Sequence, residues 1–427
     1  MKFVCRIIWI LPIVLACAGL SSAGLKTKHE WKYVDYVWEN DKQKQDAIHM
    51  GVYNYATIVI FDHQPLPDGR QVITTPKFSN NPATLSIVSN KTGDGGPLLA
   101  PYPDWSWHKA SGDCSGITSV NRAVIDKCNR LWIVDSGTIG DERVCPAKIL
   151  AFDLKNDRLV KEFQLSDDLM RSPYNNYKGL LEVQIVESSA DACDTYWVYI
   201  ADGRSYGVVI YDGMDAWRID EKVFFPTKQA SQFSIAGENF TLEVGPSAFL
   251  ITPDGFLKEP YMIFKSLSNF KSWAVTLREL HSTKCGNEVN LYVSNYTGSS
   301  QEAGKGYSKD GVLVTGFAQP RQLVCWNLQY PLESEYVGVL AQNDTTLQFI
   351  NSVKLITENG CSIEKLSVMT NRFQKYILKT MDFTEVNFRV MTADFNALVK
   401  GTVCEPTGRP VVVNSIVEKE YLPLKVT

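Results

Sequence analysis

Apolar residues along this chain recur in short β-branched and aromatic runs bounded by Gly, Asp, Asn and Pro, whereas the three- and four-residue spacing of a long amphipathic helix is scarce. The clearest unit runs from Val124 to Gly137. In it Val124-Ile125 is followed by the polar turn Asp126-Lys127-Cys128-Asn129-Arg130, and Leu131-Trp132-Ile133-Val134 then closes on Asp135-Ser136-Gly137. This spacing predicts a β-hairpin. Related strands end on Asp or Asn at Asp194–Asp202, Glu288–Asn295 and Glu364–Asn371. Weaker turns lie at Asp254-Gly255 and Asp310-Gly311, and the runs Ala56–Phe61 and Ala83–Val88 supply strands before the first hairpin.

About six units of roughly 67 residues each fill the chain, enough for six four-stranded propeller blades with generous loops. The expected fold is therefore all-β, a six-bladed β-propeller in one domain over residues 24–404. Radial repetition protects the strand edges and leaves a central channel, the natural place for a ligand. Residues 405–427 hold Pro406, Gly408, Pro410 and Pro423 and no cysteine, and are expected to form a flexible tail.

Residues 1–23 change the picture of where the chain works. Lys2 and Arg6 precede an apolar run from Ile7 to Leu20, and Ser21-Ser22-Ala23 suits signal-peptidase cleavage before Gly24. The run is too short to span a bilayer and no later one is longer, so a secreted protein without an integral membrane segment is expected. Cleavage removes Cys5 and Cys17 and leaves eight cysteines: Cys114, Cys128, Cys145, Cys193, Cys285, Cys361, Cys325 and Cys404. An even number in an exported chain favours four disulfides, and no pair has zinc-site spacing. Sequons at Asn90, Asn239, Asn295 and Asn343 fit the same compartment, whereas Asn81 is followed by Pro82. The net charge of −4, which becomes more negative once Lys2 and Arg6 are gone, offers nothing to nucleic acid. An apolar fraction of 44% supports a large core.

The block Gly93-Asp94-Gly95-Gly96-Pro97-Leu98-Leu99-Ala100-Pro101-Tyr102-Pro103-Asp104-Trp105-Ser106-Trp107 resembles the segment before the second blade in the insect major royal jelly protein and Yellow family. The resemblance continues through Asp113-Cys114-Ser115-Gly116-Ile117, the Cys128–Gly137 hairpin, Val198–Asp202, Cys325-Trp326-Asn327 and Phe383–Val390. It covers most of residues 29–404, is greatest to the royal jelly branch, and weakens between residues 205 and 320. It implies a six-bladed propeller in which Cys128 pairs with Cys193 and Cys325 with Cys404, the second bond closing the propeller ends. Cys114 with Cys145 and Cys285 with Cys361 would then remain, their connectivity left open.

In amine-binding relatives the ligand is held by a polar side chain near the start of the last blade and by an Asn and a Phe two residues apart in its strand. The matching positions are Asn351, Asn371 and Phe373, with Asn351 standing where those relatives usually carry Thr. An aromatic face can hold a cation while an amide oxygen accepts from an ammonium. The same residues also suit a strand cap and a core aromatic. Asp135, Asp202, Asn295 and Asn371, all at strand ends, would suit a hard cation if they converged, although turn chemistry alone favours such residues there.

Among five histidines, His29, His49, His63, His108 and His281, no metal-type pairing occurs. No nucleophile elbow or phosphate loop is present, and no cofactor is expected. His108 is the one candidate general base, with a hydrogen-bonded loop histidine as the simpler reading. The expected function is a non-enzymatic one: a nutritive protein or a carrier of a small amine, catechol or sterol in the channel. The alternative, implied by the Yellow relatives, is a dopachrome-converting enzyme of melanin formation.

Overall fold

A computed structural model describes residues 24–175, 179–358, 363–407 and 418–423. Six antiparallel sheets are arranged around an axis, each beginning with its innermost strand. Those inner strands are Asp62–Pro65, Val120–Ile125, Leu181–Ser189, Pro246–Ile251, Glu302–Tyr307 and Phe349–Thr357. Each packs on the next, and the last packs on the first, so the ring is closed. This is the six-bladed β-propeller that the repeats predict.

Closure is made by backbone hydrogen bonds. The N-terminal strand Lys26–Trp31 is the outermost strand of the sixth blade, paired antiparallel with Phe388–Asp394 from Lys26 opposite Thr392 to Trp31 opposite Phe388. The Cys325–Cys404 bond plays a different part from the one expected. It fastens the segment after the last helix, Phe395–Val399, to the third strand of the fifth blade, Gln322–Asn327. Cys114–Cys145 and Cys128–Cys193 are also bonded. Cys285 is an exposed free thiol at the end of a short 3-10 turn, and Cys361 lies outside the described residues.

Blade faces pack through buried aliphatic and aromatic layers, as in the cluster of Trp132, Val134, Ile149, Val183, Val198 and Ile200 between the second and third blades. Two expectations are corrected here. The run Ile58-Val59-Ile60 is fully buried but forms no strand; pairing starts at Asp62, because side-chain amides rather than a neighbouring strand donate to the carbonyls of Ile60 and Phe61. The tail is not loose throughout, since Glu418–Pro423 pairs with Asn290–Thr297 as a fifth strand of the fourth blade. The outer edge of Asn290–Thr297 offers unpaired backbone groups, and a strand needs no cysteine to fill them. Residues 1–23, and with them the expected signal segment, lie outside the described residues.

Candidate functional site

Alternation along an inner strand turns every second side chain toward the axis, and here several of those positions carry charge. Arg122 of the second blade donates to Glu182 of the third at 2.9 Å and to the Asn351 carbonyl of the sixth at 3.0 Å. It also stands 3.5 Å from Asp62 of the first blade. Lys354 reaches Asp62 from the other side at 3.6 Å. In the fifth blade Glu302 lies 3.0 Å from Lys305 and hydrogen-bonds Lys265 of the fourth.

These groups are buried, so each carboxyl is pulled two ways. Burial raises Asp62, but Lys354 and Arg122 prevail and hold it below the usual range. Burial likewise raises Glu302, and Lys265 and Lys305 overcome it to leave the carboxyl at about 2. At Glu182 burial wins over Arg122 and the carboxyl is raised. The channel is thus crossed by carboxylates and cations that satisfy one another.

The three ligand candidates meet at one end of this channel. Asn351 and Asn371 are both buried; Asn351 Nδ2 donates to the Phe61 carbonyl, and Asn371 Nδ2 to the Ile60 carbonyl at 3.0 Å. Asn371 Oδ1 accepts from the Phe373 N–H at 3.1 Å. Phe373 is not in the strand with Asn371, which ends Glu364–Asn371; it opens the short helix Phe373–Leu378. Its half-buried ring joins Phe61, Phe78, Phe349 and Tyr376, with centroid separations of 6.1, 6.4, 5.4 and 5.9 Å. Arg122 lies 5.2 Å from the centre of the Phe61 ring, linking the aromatic mouth to the charged channel.

A further element covers this end. The hairpin of Gln232–Ile235 and Glu238–Thr241 stands outside the blades and packs Phe233, Ile235 and Phe240 with Phe349, Phe373 and Ile377. It falls where the family resemblance is weakest, so no motif marks it. Its own signal is the alternation of Phe233 and Ile235 before the turn Ala236-Gly237, both at positive φ. Phe61, Phe78 and Tyr376 were missed because nothing local distinguishes a mouth aromatic from a core one.

The acidic strand ends serve as caps. Asp135 accepts the N–H groups of Thr118, Ser119 and Gly137 at 2.8, 2.8 and 3.0 Å. Asp202 accepts from Leu180 and Ser205 and pairs with Arg218 at 2.7 Å. The side chain of Asn295 lies outside the described residues, and among the described residues no cluster of metal-ligating groups forms. The sequon residues Asn90, Asn239 and Asn343 are exposed. His108 Nε2 faces the Tyr102 carbonyl at 3.2 Å in a half-buried loop. An open pocket of about 760 Å³ beside the outer hairpin of the first blade is lined by Tyr33, Lys44, Tyr53, Tyr55 and Asp94. Its Asp35 is already engaged by Lys44, Trp38 and the Tyr36 N–H.

The family profile described as Major royal jelly protein matches residues 118–404. Major royal jelly protein 8 of Apis mellifera is 34% identical over 417 residues, covering 93% of this chain and 99% of that one. Major royal jelly protein 9 of the same organism is 33% identical over 389 residues, 89% of this chain and 90% of that one. Among solved structures, virginiamycin B lyase from Staphylococcus aureus aligns with a TM-score of 0.41 at 11% identity, over 80% of this chain and 96% of that one. At that level of similarity no chemistry carries across.

Proposed function

Since this chain belongs to the major royal jelly protein family, we propose that it is a secreted royal jelly-type glycoprotein that works by binding, holding a small uncharged amphipathic molecule such as a sterol or catechol against the aromatic mouth of its channel. One observation carries the reading. The ionic groups of the channel are consumed by one another, while the rings of Phe78, Phe373 and Tyr376 remain half-open above them. Arg122 and Lys354 balance Asp62 and Glu182, and Lys265 and Lys305 more than balance Glu302, so these groups leave no surplus negative charge for an ammonium. A neutral molecule with an apolar face therefore suits the mouth better than an amine does. Acid–base chemistry of the dopachrome type needs an uncommitted acid and base in reach of one substrate, and the channel carboxylates are not free for it.

The fact that both amide donors, Asn351 and Asn371, rest on backbone carbonyls favours a second reading, in which the mouth is structural and the protein serves by its mass as food. A thermal-shift series on secreted, glycosylated protein separates the two. Sterols or neutral catechols should raise the melting temperature, biogenic amines should do so less, and Phe373→Ala should remove the effect. A ligand at a hundred times its Kd adds about 2.7 kcal/mol of stability. No shift with any compound moves the function to the nutritive reading, and accelerated dopachrome decay with purified protein would restore the enzymatic one.

A further inference from the structure

The strands Leu85–Gly93 and Gly96–Pro101 are the outer pair of the first blade, and Gly93 faces Gly96, so Asp94 and Gly95 alone make the turn between them. Tyr33 packs on this turn so closely that a Cβ on Gly95 would fall 2.5 Å from the Tyr33 carbonyl and 2.8 Å from its ring. The Lys32 N–H donates to the Gly95 carbonyl at 2.7 Å and fastens the two segments together. Asp94 is thereby held beside the Tyr33 ring. Tyr33 in turn packs against Tyr55, with ring centres 4.5 Å apart. Tyr55 is fixed from its other sides: it opens the 3-10 turn Tyr55–Thr57, in which Asn54 Oδ1 accepts from the Ala56 N–H at 3.0 Å, and the Phe383 ring meets it edge-on at 5.3 Å.

These rings line the open pocket of about 760 Å³ already described, a volume usual for small-molecule sites. Its lining holds two carboxylates, Asp35 and Asp94, and one ammonium, Lys44. Lys44 Nζ stands 2.7 Å from Asp35 and 5.8 Å from the centre of the Tyr53 ring, so the chain itself holds one cation here between a carboxylate and an aromatic face. Asp94 has no such counterpart. It is exposed, and among the described residues it makes no hydrogen bond or ion pair, while it shares the pocket with Tyr33 and Tyr55. One half of the pocket therefore repeats the carboxylate and the rings of the other without the cation.

We propose that this rim pocket binds the quaternary ammonium group of a small organic cation between Asp94 and the rings of Tyr33 and Tyr55. The ring quadrupoles attract positive charge, and Asp94 adds the one uncommitted carboxylate. The methylated form of the cation follows from the lining. A primary ammonium carries three N–H donors and a tightly held hydration shell, which a single carboxylate cannot replace. A quaternary ammonium has no N–H to satisfy, and its methyl groups can lie on the rings and on Ile48, which also lines the pocket. Asp94 repels an anion from the same place. The lining shares no residue with the aromatic mouth of the channel, so this inference stands apart from the binding of an uncharged molecule proposed there.

Choline and its uncharged carbon isostere 3,3-dimethylbutan-1-ol, titrated into the whole disulfide-bonded protein and followed by ligand-observed NMR, test it. Choline should saturate in the millimolar range and bind at least about fivefold tighter than the isostere, the preference that aromatic faces and one exposed carboxylate give a cation. Asp94→Asn leaves an Asn-Gly pair that suits a two-residue turn, and it should weaken choline about threefold without affecting the isostere. Tyr55→Ala should weaken both. Phosphatidylcholine vesicles divide the sources of the headgroup: sedimentation that depends on Asp94 assigns it to a lipid, and choline binding without sedimentation assigns it to a free molecule. The proposal is overturned if choline does not saturate, if the isostere binds equally well, or if Asp94→Asn binds choline as tightly as the parent. Choline binding lost in Phe373→Ala and intact in Tyr55→Ala would place the cation in the channel and overturn it as well.

Discussion

Replacing Arg122 by methionine keeps most of the stem and removes the charge that three blades share. Glu182 then loses its partner at 2.9 Å and, among the described residues, retains the Gln184 amide at 3.2 Å, while Asp62 keeps Lys354 at 3.6 Å. Removing one member of a buried pair costs about 3–5 kcal/mol, because the other charge is left unpaired in low dielectric. Arg122→Met is therefore expected to lose about 4 kcal/mol at pH 7. Burial already raises the Glu182 carboxyl, and without Arg122 it rises further. A carboxyl whose folded pKa exceeds its unfolded value destabilises the fold above that pKa, and the penalty shrinks as the pH falls and the group takes up its proton. The loss should accordingly be smaller at pH 5, and Glu182→Gln in the same chain should recover much of it. Guanidinium unfolding with disulfides intact measures this as a fall in midpoint at constant slope. A loss below about 1 kcal/mol at pH 7, or one unaffected by both pH and Glu182→Gln, refutes the reasoning.

Three other outcomes are expected. His63 is fully buried, hydrogen-bonded to Ser367 Oγ at 2.7 Å and held by burial at about 3. Its folded pKa is depressed, so the unfolded chain binds the extra proton as pH falls below about 6.5, and about 2 kcal/mol should be lost between pH 7 and pH 5. His63→Gln should lose that much less over the same interval; equal slopes in both proteins would count against the assignment. The Cys325–Cys404 bond spans 79 residues of sequence, and the double serine variant should be less stable by about 4 kcal/mol in chemical unfolding, an unchanged midpoint being the contrary result. Protein secreted from insect cells should carry glycans at Asn90, Asn239 and Asn343, read as Asn-to-Asp conversion after glycosidase treatment, and unmodified Asn at all three would sink the secreted reading.

Much of the architecture was legible because its signals are local. The hairpin of Val120–Ile125 with Arg130–Asp135 follows from alternation and a polar turn, and Asp135 ends its strand because three backbone N–H groups converge on its carboxylate. Long-range pairing left no such trace. Ile58-Val59-Ile60 reads as a strand by composition, yet its neighbours are amides contributed from about 300 residues away, and only the fold brings Asn371 to Ile60. The candidate site was legible only through resemblance. Asn351, Asn371 and Phe373 were found by resemblance, and the structure brings them to one end of the channel. Arg122 and Glu182 were invisible because a charge inside a strand looks solvent-facing until a neighbouring blade covers it, and the hairpin bearing Phe233 and Phe240 lies where the family pattern fades.

Because the strand Lys26–Trp31 completes the blade that ends with Phe388–Asp394, the ring has no closed form until nearly the whole domain has been synthesised. The first strand to leave the ribosome must wait unpaired for the last, with over 300 residues folding in between. Bonds such as Cys114–Cys145, 31 residues apart, unite partners that emerge early and can be made while the barrel of blades is still open. Ring closure and the clasp at Cys404 come afterwards. A chain stopped short of Phe388 would expose one edge of an unfinished blade and one orphan strand, each a ready partner for another copy. Cellular quality control would therefore meet this protein as an all-or-nothing circle, and truncations near its end should fail as a whole and not blade by blade.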